Sequence, residues 1–178
     1  MRFVCCMVAA ALSPALLAQD APSRVQVTSV KAVYEMVKSY VTKSAERMPE
    51  AKYSFKPSDD VMSYGQVLEH ITDSQYYLCG TIIKNGKAEN IGYQNSGPHT
   101  KAQIAEALKT AFAYCDSIYE GLNDATSAEM VNFFGQQRTK LSILAQNSAH
   151  SWEHYGNLAT YLRINRIVPP SSEGRGGR

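Results

Sequence analysis

The stretch TKLSILAQNSAHSWEHYGNLATYLRIN, Thr139 to Asn165, decides the fold. Its apolar residues Leu141, Leu144, Ala145, Trp152, Tyr155, Leu158, Ala159 and Leu162 return to one side of a helix at three- and four-residue steps. Pro169-Pro170 stops whatever follows, because proline lacks the amide hydrogen a helix needs.

Working outward, three further segments carry the same period. From Val25 to Arg47, the residues Val30, Val33, Tyr34, Val37, Tyr40 and Val41 form an amphipathic stripe, closed by Met48-Pro49. Lys56-Pro57-Ser58-Asp59-Asp60 reads as the start of a second helix, with proline near the first turn, a capping serine and early acids. That helix bears Val61, Tyr64, Val67, Leu68, Ile71 and Leu78, and ends between Gly80 and Asn85-Gly86. Gly86 to Pro98 is a Gly- and Asn-rich loop, after which Thr100 caps a third helix carrying Ile104, Leu108, Phe112, Cys115, Ile118 and Tyr119. Asn123 to Arg138 is irregular, apart from a short extended piece at Met130 to Phe134. Four long helices without a strand-rich region predict an all-α four-helix bundle. The long second-to-third and third-to-fourth connections predict a crossover instead of simple up-down-up-down order.

The chain has 178 residues, 44% of them hydrophobic and 19% charged, as expected for one soluble domain. A net charge of +2 offers no footprint for nucleic acid. At the N-terminus, Arg2 precedes an apolar run from Phe3 to Leu17 that ends in Ala18-Gln19-Asp20. A basic start, an apolar stretch of ~7–15 residues and a small residue describe a secretory signal peptide. The run is short for a membrane span, which takes about 20 apolar residues. We therefore expect residues 1–18 to be a signal peptide, 19–170 a bundle domain and 171–178 a disordered tail, the protein being exported to the periplasm or beyond the cell. Cys5 and Cys6 leave with the signal peptide, so Cys79 and Cys115 remain. An oxidising compartment permits a bridge between them, and two helical cysteines also pack well as small hydrophobes.

Two of the four histidines, His150 and His154, lie four residues apart on the last helix. Such positions sit one above the other, so both imidazoles can reach one ion. Turning by ~100° per residue, the pair shares its side with Ile143, Asn147, Leu158 and Tyr161 and faces inward. His70 stands on the second helix beside Val67, Ser74, Tyr77 and Leu78, again at an inward edge, whereas His99 follows Gly97-Pro98 in a loop expected at the surface. Bundles build sites from facing helices, which makes His70, His150 and His154 a candidate three-histidine centre for a divalent metal. Three neutral imidazoles leave at least one coordination position open. The competing reading is three partly buried core histidines. Glu69 and Glu153, each rotated ~100° from a candidate ligand, are expected to face solvent. Asp73 and Asn147 stand one turn from His70 and His150, where either could orient a ring, and a solvated acid is the simpler fate of Asp73. Tyr77 and Tyr161 are candidates to line the open face.

The segments Phe55-Lys56-Pro57 and Tyr64-Gly65-Gln66-Val67-Leu68-Glu69-His70-Ile71 resemble the second helix of DinB-like proteins, the damage-inducible DinB/YfiT-type family. His150-Ser151-Trp152-Glu153-His154-Tyr155-Gly156-Asn157-Leu158, with Tyr161-Leu162-Arg163 and Val168-Pro169-Pro170, is similar to that family's last helix and exit. The likeness spans about residues 28–172. It implies a four-helix bundle holding zinc or nickel on His70, His150 and His154, in a superfamily of thiol-dependent transferases, isomerases and metal-dependent hydrolases. A signal peptide departs from the intracellular members, whose thiol cosubstrates are largely cytosolic. The expected function is therefore an exported metal-dependent hydrolase or transferase acting on a small molecule. The alternative is a non-catalytic metal- or ligand-binding bundle. Bundles of this kind often pair as homodimers, although no interface stands out in the chain. Protons compete for ligand histidines, so metal affinity is expected to fall as pH drops through about 6.5.

Overall fold

The computed structural model describes residues 21–174. The expected signal peptide and the last four residues of the expected tail lie outside that range. The four long helices are α1 (Val25–Arg47), α2 (Tyr64–Ile83), α3 (Lys101–Gly121) and α5 (Lys140–Ile164). A one-turn helix α4 (Asp124–Ser127) and a hairpin of β1 (Met130–Phe133) and β2 (Gln136–Thr139) separate α3 from α5. Thr100 caps α3 as expected and Thr139 caps α5, their hydroxyls accepting from the amides of Gln103 and Ser142.

The start of α2 differs from expectation. Lys56 to Asp60 forms a turn, with the Lys56 ammonium on the Asp59 carbonyl at 3.0 Å, and the helix begins at Tyr64. Ser63 and Gln66 form a reciprocal capping box: the Ser63 hydroxyl accepts from Gln66 N at 3.3 Å and Gln66 Oε1 accepts from Ser63 N at 2.9 Å. Two satisfied amides at that register outweigh the single cap that Ser58 offers.

Helix α1 packs on α3 and α5, and α2 packs on the same two, so α1 and α2 face each other across the bundle diagonal. The chain therefore crosses the bundle between α1 and α2 and again between α3 and α5. The long α2–α3 connection joins neighbours. Its length lies folded back along α2, where Asp73 accepts from the amides of Tyr93 and Gln94 at 2.8 and 3.0 Å. Gly86 lets this loop approach the hairpin: at φ +93°, a Cβ there would sit 2.7 Å from the Asn132 carbonyl oxygen.

The core is rich in tyrosine. Tyr34, Tyr64 and Tyr119 are fully buried among Leu68, Ile71, Phe112, Leu144 and Leu158. Tyr34 donates to the Phe112 carbonyl and Tyr64 to the Ser44 carbonyl, which gives each hydroxyl the partner that burial demands. Cys79 and Cys115 form a disulfide joining α2 to α3, with Cα atoms 5.5 Å apart and neither residue exposed. Residues 171–173, expected within a loose tail, are instead held. The Ser171 amide donates to Tyr155 Oη at 2.8 Å, the Ser172 hydroxyl accepts from Arg163, and Glu173 pairs with Arg47. No helix of the described residues is long and apolar enough to cross a membrane.

Candidate metal centre

Helices α2 and α5 are clamped by a buried polar network within about one and a half turns of the histidines. Asn147 Nδ2 donates to Gln75 Oε1 at 2.8 Å, and Gln75 Nε2 donates to Ser151 Oγ at 3.1 Å. All three residues are fully buried, so these bonds fix the register of the two helices without competition from water. That register brings His70 of α2 level with His150 and His154 of α5.

The three imidazoles converge through their Nε2 atoms. His150 Nε2 lies 3.2 Å from His70 Nε2 and 3.1 Å from His154 Nε2, and the candidate ligand atoms of all three lie within 4.8 Å of one another. One lone pair on His150 Nε2 cannot serve both short contacts as good hydrogen bonds. A cation at the centre engages three lone pairs together, and four tetrahedral donors at metal–nitrogen distances of ~2.0–2.1 Å stand about 3.3 Å apart. The donor set and spacing therefore fit a divalent ion. Burial is the main influence on two of the rings. It holds His154 down to about 4, helped by repulsion from His150 and His70, and lowers His150, with His70 adding to the effect. Both rings are thus neutral at pH 7, the form that binds metal. Their Nδ1 atoms are buried and have no hydrogen-bond partner. The carboxylate or carbonyl that commonly backs a ligand histidine is missing for these two.

The neighbouring residues divide sharply from expectation. Glu153 is exposed as expected, but Glu69 is only 6% exposed and His99 is no free surface residue. The loop folded along α2 carries His99 onto Glu69, with Nδ1 2.8 Å from Oε1, and the ring stacks on Tyr93 with centroids 4.0 Å apart. Burial raises the Glu69 carboxyl, while the contact with His99 pulls the other way. Asp73 and Asn147 do not orient imidazoles: Asp73 holds the loop and Asn147 belongs to the helix clamp. Tyr161 turns away, donating to the Met62 carbonyl at 3.1 Å.

Tyr77 does line a cleft of about 390 Å³ whose wall includes His70 and His150. Its other walls are Phe133 and Phe134 of the hairpin, Gln146 of α5 and Asn90 and Gln94 of the loop. These residues escape sequence reasoning because hairpin and loop reach the site only through tertiary contacts. The extended Met130–Phe134 piece was their one signal. A wider groove of about 850 Å³, lined by Glu50, Lys56, Glu69, His99 and Lys101, includes none of the three clustered histidines.

A helical bundle with three imidazoles drawn from two facing helices, opening on one cleft, defines the class: an all-α protein with a histidine centre built into its bundle. The sequence pattern of the DinB superfamily matches residues 34–158, and the chain belongs to that superfamily. It is 29% identical over 122 residues to the uncharacterized protein YjoA of Bacillus subtilis strain 168, covering 67% of this chain and 77% of YjoA. The crystal structure of YjoA, a DinB-like protein, superposes with a TM-score of 0.63, covering 79% of this chain and 94% of that one at 21% identity. A DinB-like protein from Bacillus cereus ATCC 10987 gives 0.69 at 16% identity, covering 80% and 95%. A mycothiol-dependent maleylpyruvate isomerase gives 0.59 at 9% identity, covering 74% of this chain and 60% of that one. At such identities the structural likenesses speak for the fold.

Proposed function

We propose that this protein is an exported DinB-like metalloprotein that holds zinc or nickel on His70, His150 and His154 and acts on a small molecule as a hydrolase or transferase. The observation that carries the reading is the convergence of three Nε2 atoms, separated by 3.1 and 3.2 Å at the two shortest contacts, at the wall of a cleft. When bound, a divalent ion supplies Lewis acidity toward water or a substrate oxygen. His154, the most enclosed ring, sits at the inner side, and His70 and His150 face the cleft. Asn90, Gln94 and Gln146 offer amide groups to orient a substrate, and Phe133 and Phe134 of the hairpin form an apolar side of the cleft. Export is supported by the apolar N-terminal run and by the Cys79–Cys115 disulfide, since such bonds persist in oxidising compartments.

A non-catalytic binding role is favoured by one observation. Asp73, the carboxylate in the cleft wall, is occupied by two backbone amides and is not free to act as a base. Elemental analysis of purified protein tests the metal: wild type should carry about one ion per chain, and His150→Ala should lose most of it. Equal metal content in both would sink the site. Ester, amide and phosphate screens on metal-free and metal-loaded protein then separate catalysis from binding.

A further inference from the structure

Strand β1 turns into β2 through two residues, Phe134 and Gly135, between the paired Phe133 and Gln136. Both have positive φ, +50° and +78°, as a type I′ turn requires. Asparagine is the residue that suits the first of these positions, and a bulky side chain there is a strained outlier. Phe134 is moreover 75% exposed, so packing in the core does not account for it. Its ring lies near-parallel to Tyr77, with centroids 5.9 Å apart at 30°, and Phe133 braces it edge-on at 4.6 Å. The strained ring therefore stands at the rim of the cleft whose wall includes His70 and His150. Strain kept at such a place points to use.

The charge of the cleft narrows its ligand. No lysine or arginine lines it, and both oxygens of Asp73 are already held by backbone amides. Apart from the two histidines, the remaining polar groups are uncharged: the amides of Asn90, Gln94, Asn95 and Gln146 and the hydroxyls of Ser74 and Tyr77. A volume of about 390 Å³ has room for one or two rings.

We propose that the substrate is a ring-bearing small molecule that stacks on Phe134 and Tyr77, its body uncharged apart from the group that approaches the histidine centre. This rests on the metal reading above. The test uses the zinc-loaded full chain and three hydroxamates, which chelate divalent ions through the same group: acetohydroxamate, benzohydroxamate and 4-carboxybenzohydroxamate. By calorimetry, benzohydroxamate should bind at least about tenfold more tightly than acetohydroxamate, from ring burial and stacking. The 4-carboxylate should lose most of that gain. Phe134→Asn fits the turn, so its Tm should equal or exceed that of wild type, while the preference for benzohydroxamate drops to about threefold or less. Equal affinity for the first two hydroxamates in wild type overturns the proposal, as does an undiminished preference in Phe134→Asn. Failure of wild type to retain zinc at all overturns the metal reading and takes this inference with it.

Discussion

His154 is the most enclosed of the three clustered imidazoles, 7% exposed, and its pKa is held down to about 4. Burial causes most of this, and the two neighbouring rings add to it. An unfolded chain would protonate the same ring near the ordinary value of 6.5, so between pH 6.5 and about 4 the unfolded state binds more protons there than the folded state. Stability from this residue is complete above pH 6.5 and is lost as pH falls toward 4. The metal-free protein should therefore lose Tm across that window, by an amount equivalent to about 3 kcal/mol. His154→Gln should flatten that part of the curve, and thermal melts of both proteins in chelator, at half-unit pH steps, check it. A slope unchanged in the variant would contradict the assignment. The same depression moves the expected loss of metal below the free-histidine range: content should hold at pH 6 and fall by pH 4, as read by elemental analysis after dialysis.

At the scale of elements, the chain announces α1, α3 and α5 through periodicity, and α3 also through its Thr100 cap, because those signals are local. The start of α2 was misleading for a physical reason. Pro57-Ser58-Asp59-Asp60 imitates a helix entry, and only the reciprocal bonding of Ser63 with Gln66 decides against it. Ser63→Ala removes one half of that box and should cost about 1 kcal/mol, a fall of roughly 2–4 °C in Tm, with metal content unchanged. A loss of metal alongside the Tm shift would show that the cap also sets the height of His70. Strand β2 was not legible, since Gln136, Gln137 and Arg138 are polar and its burial pattern shows no alternation. The anchoring of the α2–α3 loop was equally hidden. Asp73 and Glu69 meet partners 20 to 30 residues away, and no period records such contacts.

Over the whole molecule, two cross-links of different chemistry meet on α2. The disulfide ties it to α3, and the hydrogen bonds from Asn147 to Gln75 and from Gln75 to Ser151 tie it to α5. The cysteines were open in sequence between a bridge and simple packing, because pairing depends on a helix–helix distance that sequence spacing does not encode. Closing a loop across 36 residues restricts the unfolded chain by roughly 3–4 kcal/mol. The double substitution Cys79→Ala with Cys115→Ala should therefore lower Tm by about 10 °C. If Tm falls by less than a few degrees, the bridge contributes little and packing alone holds α2 to α3.

The pairing of α1 with α5 has a meaning in time as well as in space. The first helix of the bundle finds a main neighbour in the last, and His70 waits 80 residues for His150. A chain emerging from the ribosome, or threading through a membrane pore, holds a single one of the three imidazoles until the final helix follows. An ion held on all three imidazoles, as proposed above, would therefore be captured only after α5 has joined α2, and a product truncated before His150 would offer His70 alone.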